Sequence, residues 1–92
     1  MSSPTIDFTT FVLSVSSAAL MGLGITPRPG SSGKKEIDLE LARQNIQLLE
    51  LMKEKTKNNL SNEEDKLLEG LLFETRMRFI EVQKTVDAEK NR

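Results

Sequence analysis

From Phe8 to Pro27 the chain runs for twenty residues without a charged side chain, and this constrains the fold more than any other feature. Asp7 before it and Arg28 after it are the only charges in residues 1–33, while the other 13 acids and 12 bases crowd into residues 34–92. Within the uncharged stretch Phe8, Phe11, Val12, Val15, Ala18, Ala19 and Gly22 recur at spacings of three and four, the period of one helix face. The pattern predicts a helix from about residue 8 to 23. Asp7 is suited to cap it, because a carboxylate accepts the orphan N–H groups of the first turn and faces the positive end of the helix dipole. Gly22 and Gly24 supply the stop.

A surface helix of a small protein normally keeps charge on its outer face. This one has a wide apolar face and a narrower side of Leu13, Ser16, Ser17 and Leu20, and neither carries charge. One can cover the remainder of the chain. With 92 residues in all, nothing is left to cover the other. Ser14, Ala18 and Gly22 form a row of small residues four apart, which lets another backbone approach closely. Burial of Leu13, Leu20 and Met21, at roughly 1.5–3 kcal/mol apiece, favours an oligomer over exposure. The expected interface is Phe11, Val12, Leu13, Ser14 and Ser17, with Ala18, Leu20, Met21 and Gly22. The plainer alternative is that the Ser and Thr hydroxyls solvate that side adequately in a monomer.

The same stretch is a poor membrane span. Phe8–Leu23 is sixteen residues, about 24 Å as a helix, against a hydrocarbon core of about 30 Å that wants roughly 20 residues. A secretory leader needs a basic segment ahead of its apolar run, and no Lys or Arg precedes Phe8.

Residues 24–37 read as a flexible linker, with Pro27, Pro29, Gly30, Ser31, Ser32 and Gly33 at its centre. A second helix is predicted over about 39–57, capped by Asp38, with Leu39, Ala42, Ile46, Leu49 and Met52 as its stripe and Leu41, Leu48 and Leu51 widening it. Asn58, Asn59 and Leu60 make a tight turn. Ser61 and Glu64 then form a capping box, the hydroxyl of one and the carboxylate of the other each accepting the other's backbone N–H. A third helix is predicted over about 62–86, with Leu68, Leu72, Thr75, Phe79, Val82 and Val86 as a heptad-like seam and Leu67, Leu71, Phe73, Met77 and Ile80 as a second apolar surface. Residues 87–92 are expected to fray. The short turn implies that helices 2 and 3 form an antiparallel hairpin. The fold expected is therefore all-α, one domain of three helices: a C-terminal hairpin plus an uncharged N-terminal helix, packed as a homo-oligomer.

Three separated blocks resemble, in order, a bacterial family known only as domain of unknown function 1844. They are Asp7-Phe8-Thr9-Thr10-Phe11-Val12-Leu13-Ser14, then Leu39-Glu40-Leu41-Ala42 through Leu49, then Glu54-Lys55-Thr56-Lys57-Asn58-Asn59-Leu60 and onward to Arg76-Met77-Arg78-Phe79. The resemblance covers most of residues 7–82. Asn59 stands where the family commonly has Gly, which makes the turn less permissive, and Phe79 where Tyr is common, which removes a hydroxyl. What the resemblance implies is a short, cytoplasmic, helical bacterial protein with no assigned activity, and it supplies no catalytic residues.

The composition excludes much chemistry. There is no Cys and no His, so thiolate metal sites, cysteine nucleophiles and the commonest general base are all missing. Glu63, Glu64 and Asp65 lie in the first turn of helix 3, where negative charge is expected for dipole reasons alone. No Gly-rich phosphate loop precedes a helix. No enzyme activity, cofactor or metal is expected. A net charge of -1 argues against nucleic acid as a partner. Lys53, Lys55 and Lys57 gather where cations suit a helix C-terminus. Arg78 has Glu74 and Glu81 at helical spacing, whereas Arg76 has no carboxylate three or four residues away and is expected to reach helix 2 or another chain.

The function expected is a helical interaction module that self-associates through helix 1 as a homodimer or higher homo-oligomer, or docks there on an unidentified protein partner. The alternative is a membrane-surface or membrane-protein-associated accessory protein using the same helix. Against it, the helix lacks the Lys/Arg face of interfacial helices.

Overall fold

The computed structural model describes residues 7–27 and 36–90. The centre of the predicted linker, 28–35, and residues 91–92 of the predicted tail lie outside them. Three helices follow in chain order: α1 (Phe8–Gly22), α2 (Leu39–Lys55) and α3 (Asn62–Lys90). Among the described residues there is no strand.

Each start is capped as the local chemistry dictates. Asp7 Oδ1 accepts the Thr10 N–H at 2.7 Å, and this bond holds the Asp7 carboxyl below its ordinary pKa. Asp38 Oδ1 accepts the Leu41 N–H at 3.1 Å. At α3 the Ser61 N–H donates to Glu64 Oε1 at 2.9 Å and the Glu64 N–H donates to Ser61 Oγ at 3.1 Å, the reciprocal pair of a capping box.

α3 runs to Lys90, four residues past the predicted end, so the tail does not begin at Asp87. No Gly or Pro interrupts Val86–Lys90, and the preceding turn is tied by Thr85 Oγ1 donating to the Glu81 carbonyl at 3.2 Å. The turn before α3 also differs in detail. The left-handed residue is Asn58, with φ of 68°, and Asn59 has no positive φ. A Gly is not required at Asn59, because the residue that needs the unusual conformation is the one before it, and Asn tolerates it.

Val12, Val15, Ala19, Ile46, Leu49, Leu68 and Leu72 form one buried cluster drawn from all three helices, with Phe8, Met52, Leu60, Leu71 and Phe79 packed around it. The α1–α2 interface is the most extensive of the three. Its tightest point is at Gly22, where a β-carbon would lie 2.7 Å from the Ala42 nitrogen, so only a bare Cα permits the approach. The Asp38 N–H donates to the Gly22 carbonyl at 2.6 Å and ties the end of one helix to the start of the next.

Contacts between α2 and α3 run in opposite order along the two segments. Lys53 Nζ meets Glu69 Oε1 at 2.7 Å, Arg76 Nη2 meets Glu50 Oε2 at 2.6 Å, and the Arg43 guanidinium lies 5.6 Å from the centre of the Phe79 ring. The buried polar groups differ in how they are satisfied. Thr75 Oγ1 donates to the Leu71 carbonyl at 2.7 Å, whereas the Ser16 hydroxyl has no partner among the described residues. The molecule measures 50 × 32 × 16 Å. Its long dimension is set by α3, whose 29 residues extend about 43 Å.

Candidate functional site

The fold divides the residues of α1 expected at an interface. Val12, Val15, Ser16, Ala19 and Gly22 are buried against the rest of the chain. Phe11 is 49% exposed and Leu13 44%; Ser14 and Ser17 are exposed, and Ala18, Leu20 and Met21 are half-buried. This differs from the predicted faces in two places. Ser16, read on the narrower side with Leu13, Ser17 and Leu20, is 4% exposed, and Phe11, read with Val12 and Val15 on the wide face and placed in the expected interface, is half exposed while those two are buried. The buried residues of α1 are centred near the direction of Ala19, and at 100° per residue Ser16 lies about 60° to one side of it and Phe11 about 80° to the other.

The row of small residues is cut as well. Gly22 is taken up by its contact with Ala42, so only Ser14 and Ala18 remain for an outside partner. Val12, fully buried, belongs to the core. What is left outside is an uncharged half of the helix, bordered at its two margins by Phe11 and Leu13, which stand about 160° apart at 100° per residue, with Thr10, Ser14, Ser17 and Met21 between them. Ser14 does not demand water, because its hydroxyl donates to the Thr10 carbonyl at 3.0 Å.

Arg76 is not brought to this patch. Its Nε and Nη2 donate to Glu50 Oε2 at 3.1 and 2.6 Å, so it joins α3 to α2. The groove it helps to line between α2 and α3 has a volume of about 290 Å³, with Ile46, Phe79 and Ile80 as apolar walls. Both cations there are already matched, Arg76 by Glu50 and Arg43 by Glu40 at 2.7 Å, which leaves no free positive charge to hold an anionic ligand. Lys53 is likewise committed to Glu69, and that bond depresses the Glu69 pKa. Arg78 lies 3.7 Å from Glu81 at the surface. Among the described residues no three acidic side chains come together in a way that could hold a metal ion. No described helix is long and apolar enough to cross a membrane.

A second exposed apolar surface was only partly legible in the sequence. Of the five residues read as one extra surface on helix 3, Leu67 and Leu71 are half-buried, while Phe73, Met77 and Ile80 are 67%, 47% and 54% exposed. The signal that separates them is their spacing of four and three, which continues the register of Lys66 and Gly70 and places them opposite the buried Leu68–Leu72–Thr75 side.

The described residues thus form a three-helix all-α protein whose first helix carries no charge. The chain matches the model of the family described as Domain of unknown function (DUF1844) over residues 5–81, and it belongs to that family. No curated protein and no solved structure matches it.

Proposed function

We propose that this protein is a non-enzymatic, cytoplasmic interaction module that self-associates through the outer side of α1, most simply as a two-fold dimer. The observation that carries the reading is the outer half of α1, which runs from half-exposed Phe11 at one margin to half-exposed Leu13 at the other without a charged residue. The antiparallel α2–α3 hairpin, supported by the inverse order of its ion pairs, is the scaffold that holds α1 in place. Ser14 and Ala18 leave room for a second α1 to approach, and the internally bonded Ser14 hydroxyl lowers the cost of drying that contact. No catalytic group, cofactor or nucleic acid enters this reading.

Light scattering of the full chain at micromolar and higher concentration tests it. A dimer or larger species is expected, converted to monomer by Leu13→Glu or Ala18→Glu. A wild-type monomer throughout overturns the reading. Flotation with liposomes tests the membrane-surface alternative, which the absence of Lys and Arg from α1 disfavours; comigration with lipid would replace self-association by membrane docking.

A further inference from the structure

We infer that the outward face of α3 is a docking seam for an amphipathic helix of another protein, one with an apolar heptad stripe flanked by Lys or Arg. The seam consists of Gly70, Phe73, Met77 and Ile80, bounded along the same line by Lys66 and Lys84. The spacing, four–three–four–three–four, is that of a coiled-coil stripe. It lies on the side of α3 away from the buried Leu68, Leu72 and Thr75, with Ile80 at the rim of the groove between α2 and α3.

Three features of the seam point to a helix as occupant. Phe73, Met77 and Ile80 leave half or more of their surfaces in water. Gly70 sits in the interior of a long helix, where Gly is unfavourable by about 1 kcal/mol relative to Ala, yet a β-carbon there would meet nothing within 4 Å. Packing within the chain therefore does not account for it, and its missing side chain leaves a notch one turn before Phe73 into which a large partner side chain fits.

Charge decides which helix. On one flank Glu69 and Arg76 are already matched by Lys53 and Glu50. On the other, Glu74 has no ion-pair partner among the described residues, and Glu81 has only Arg78 at 3.7 Å. These two carboxylates are seven residues apart and occupy the same heptad position beside the seam. A second copy of α3 fits poorly. An antiparallel pairing that sets Gly70 opposite Ile80 and Phe73 opposite Met77 also sets Lys66 opposite Lys84 and brings Glu74 beside its own counterpart, and a parallel pairing in register sets Lys66 and Lys84 each opposite its own counterpart. Like charges in these positions are destabilising. A basic flank on a different helix removes that conflict.

The test uses the full 92-residue protein and two labelled synthetic helical peptides of three heptads, each with Leu at the seam positions and either Lys or Glu at the flanking ones. Fluorescence anisotropy is expected to show saturable binding of the Lys peptide, tighter than the Glu peptide by about ten-fold or more. Phe73→Ser with Met77→Ser should abolish it, and Glu74→Lys with Glu81→Lys should transfer the preference to the Glu peptide. Leu13→Glu on α1 should leave it unchanged, which separates this surface from the self-association surface. Equal affinity for the two peptides, indifference to the Phe73/Met77 change, or loss on Leu13→Glu would each overturn the inference.

Discussion

Gly22 and Ala42 stand so close that a β-carbon on Gly22 would lie 2.7 Å from the Ala42 nitrogen and 3.1 Å from its Cα. The obstruction is backbone, which cannot rotate out of the way as a side chain can. The contact sets how deeply the end of α1 seats on the start of α2. It therefore helps to set which residues of α1 face outward.

Gly22→Ala is expected to force the two helices apart and to destabilise the fold by about 1–3 kcal/mol, the usual range for overpacking a tight contact. Urea unfolding followed by circular dichroism checks this. The midpoint should fall with little change in slope, because the surface exposed on unfolding is nearly the same.

Gly70→Ala should do the opposite. Its β-carbon enters open space, so the helix-propensity gain of about 0.5–1 kcal/mol is not offset by a clash. A rise in thermal midpoint is the expected readout. The contrast between Gly22 and Gly70 makes the pair informative, since one substitution in the same host is opposed by backbone and the other by nothing.

Acid should weaken the fold through Asp7 and Glu69. Both carboxyls are depressed below their ordinary values of 3.8 and 4.5, Asp7 chiefly by the Thr10 N–H and Glu69 chiefly by its hydrogen bond to Lys53. A carboxyl with a depressed pKa in the folded state contributes stability above its unfolded value, and that contribution disappears as pH falls through the folded one. Both groups are solvent-exposed, so the loss between pH ~5 and ~3 is modest. Asp7→Asn with Glu69→Gln removes the two titrations while Asn still caps α1. Urea midpoints at the two ends of that window should differ less in the double variant than in the wild type.

Much of the architecture is readable from local chemistry. Asp7, Asp38 and the Ser61/Glu64 box mark the three helix starts because capping is settled within four residues, without reference to the rest of the chain. The seam Leu68–Leu72–Thr75 is equally plain, since charged neighbours leave α3 few other ways to face a core. The end of α3 was less legible, because Val86–Lys90 contains neither a stop signal nor a strong reason to continue. The exposed stripe at Phe73, Met77 and Ile80 was legible as apolar but not as exposed. Burial depends on where α2 lies, and α2 meets α3 along Glu69, Arg76 and Phe79 instead.

The uncharged stretch from Phe8 to Pro27 determined by itself that α1 would be a helix without a charged face, capped at Asp7 and ended near Gly22. It did not determine which way that helix would turn. On α2 and α3 the contrast between charged and apolar sides marks the inward direction. On α1 there is no such contrast, so Phe11 and Ser16 are nearly interchangeable as far as periodicity is concerned. Only the tertiary structure chose between them. With the bare Cα of Gly22 against the backbone of Ala42, Ser16 lies inward and Phe11 and Leu13 are left half in water.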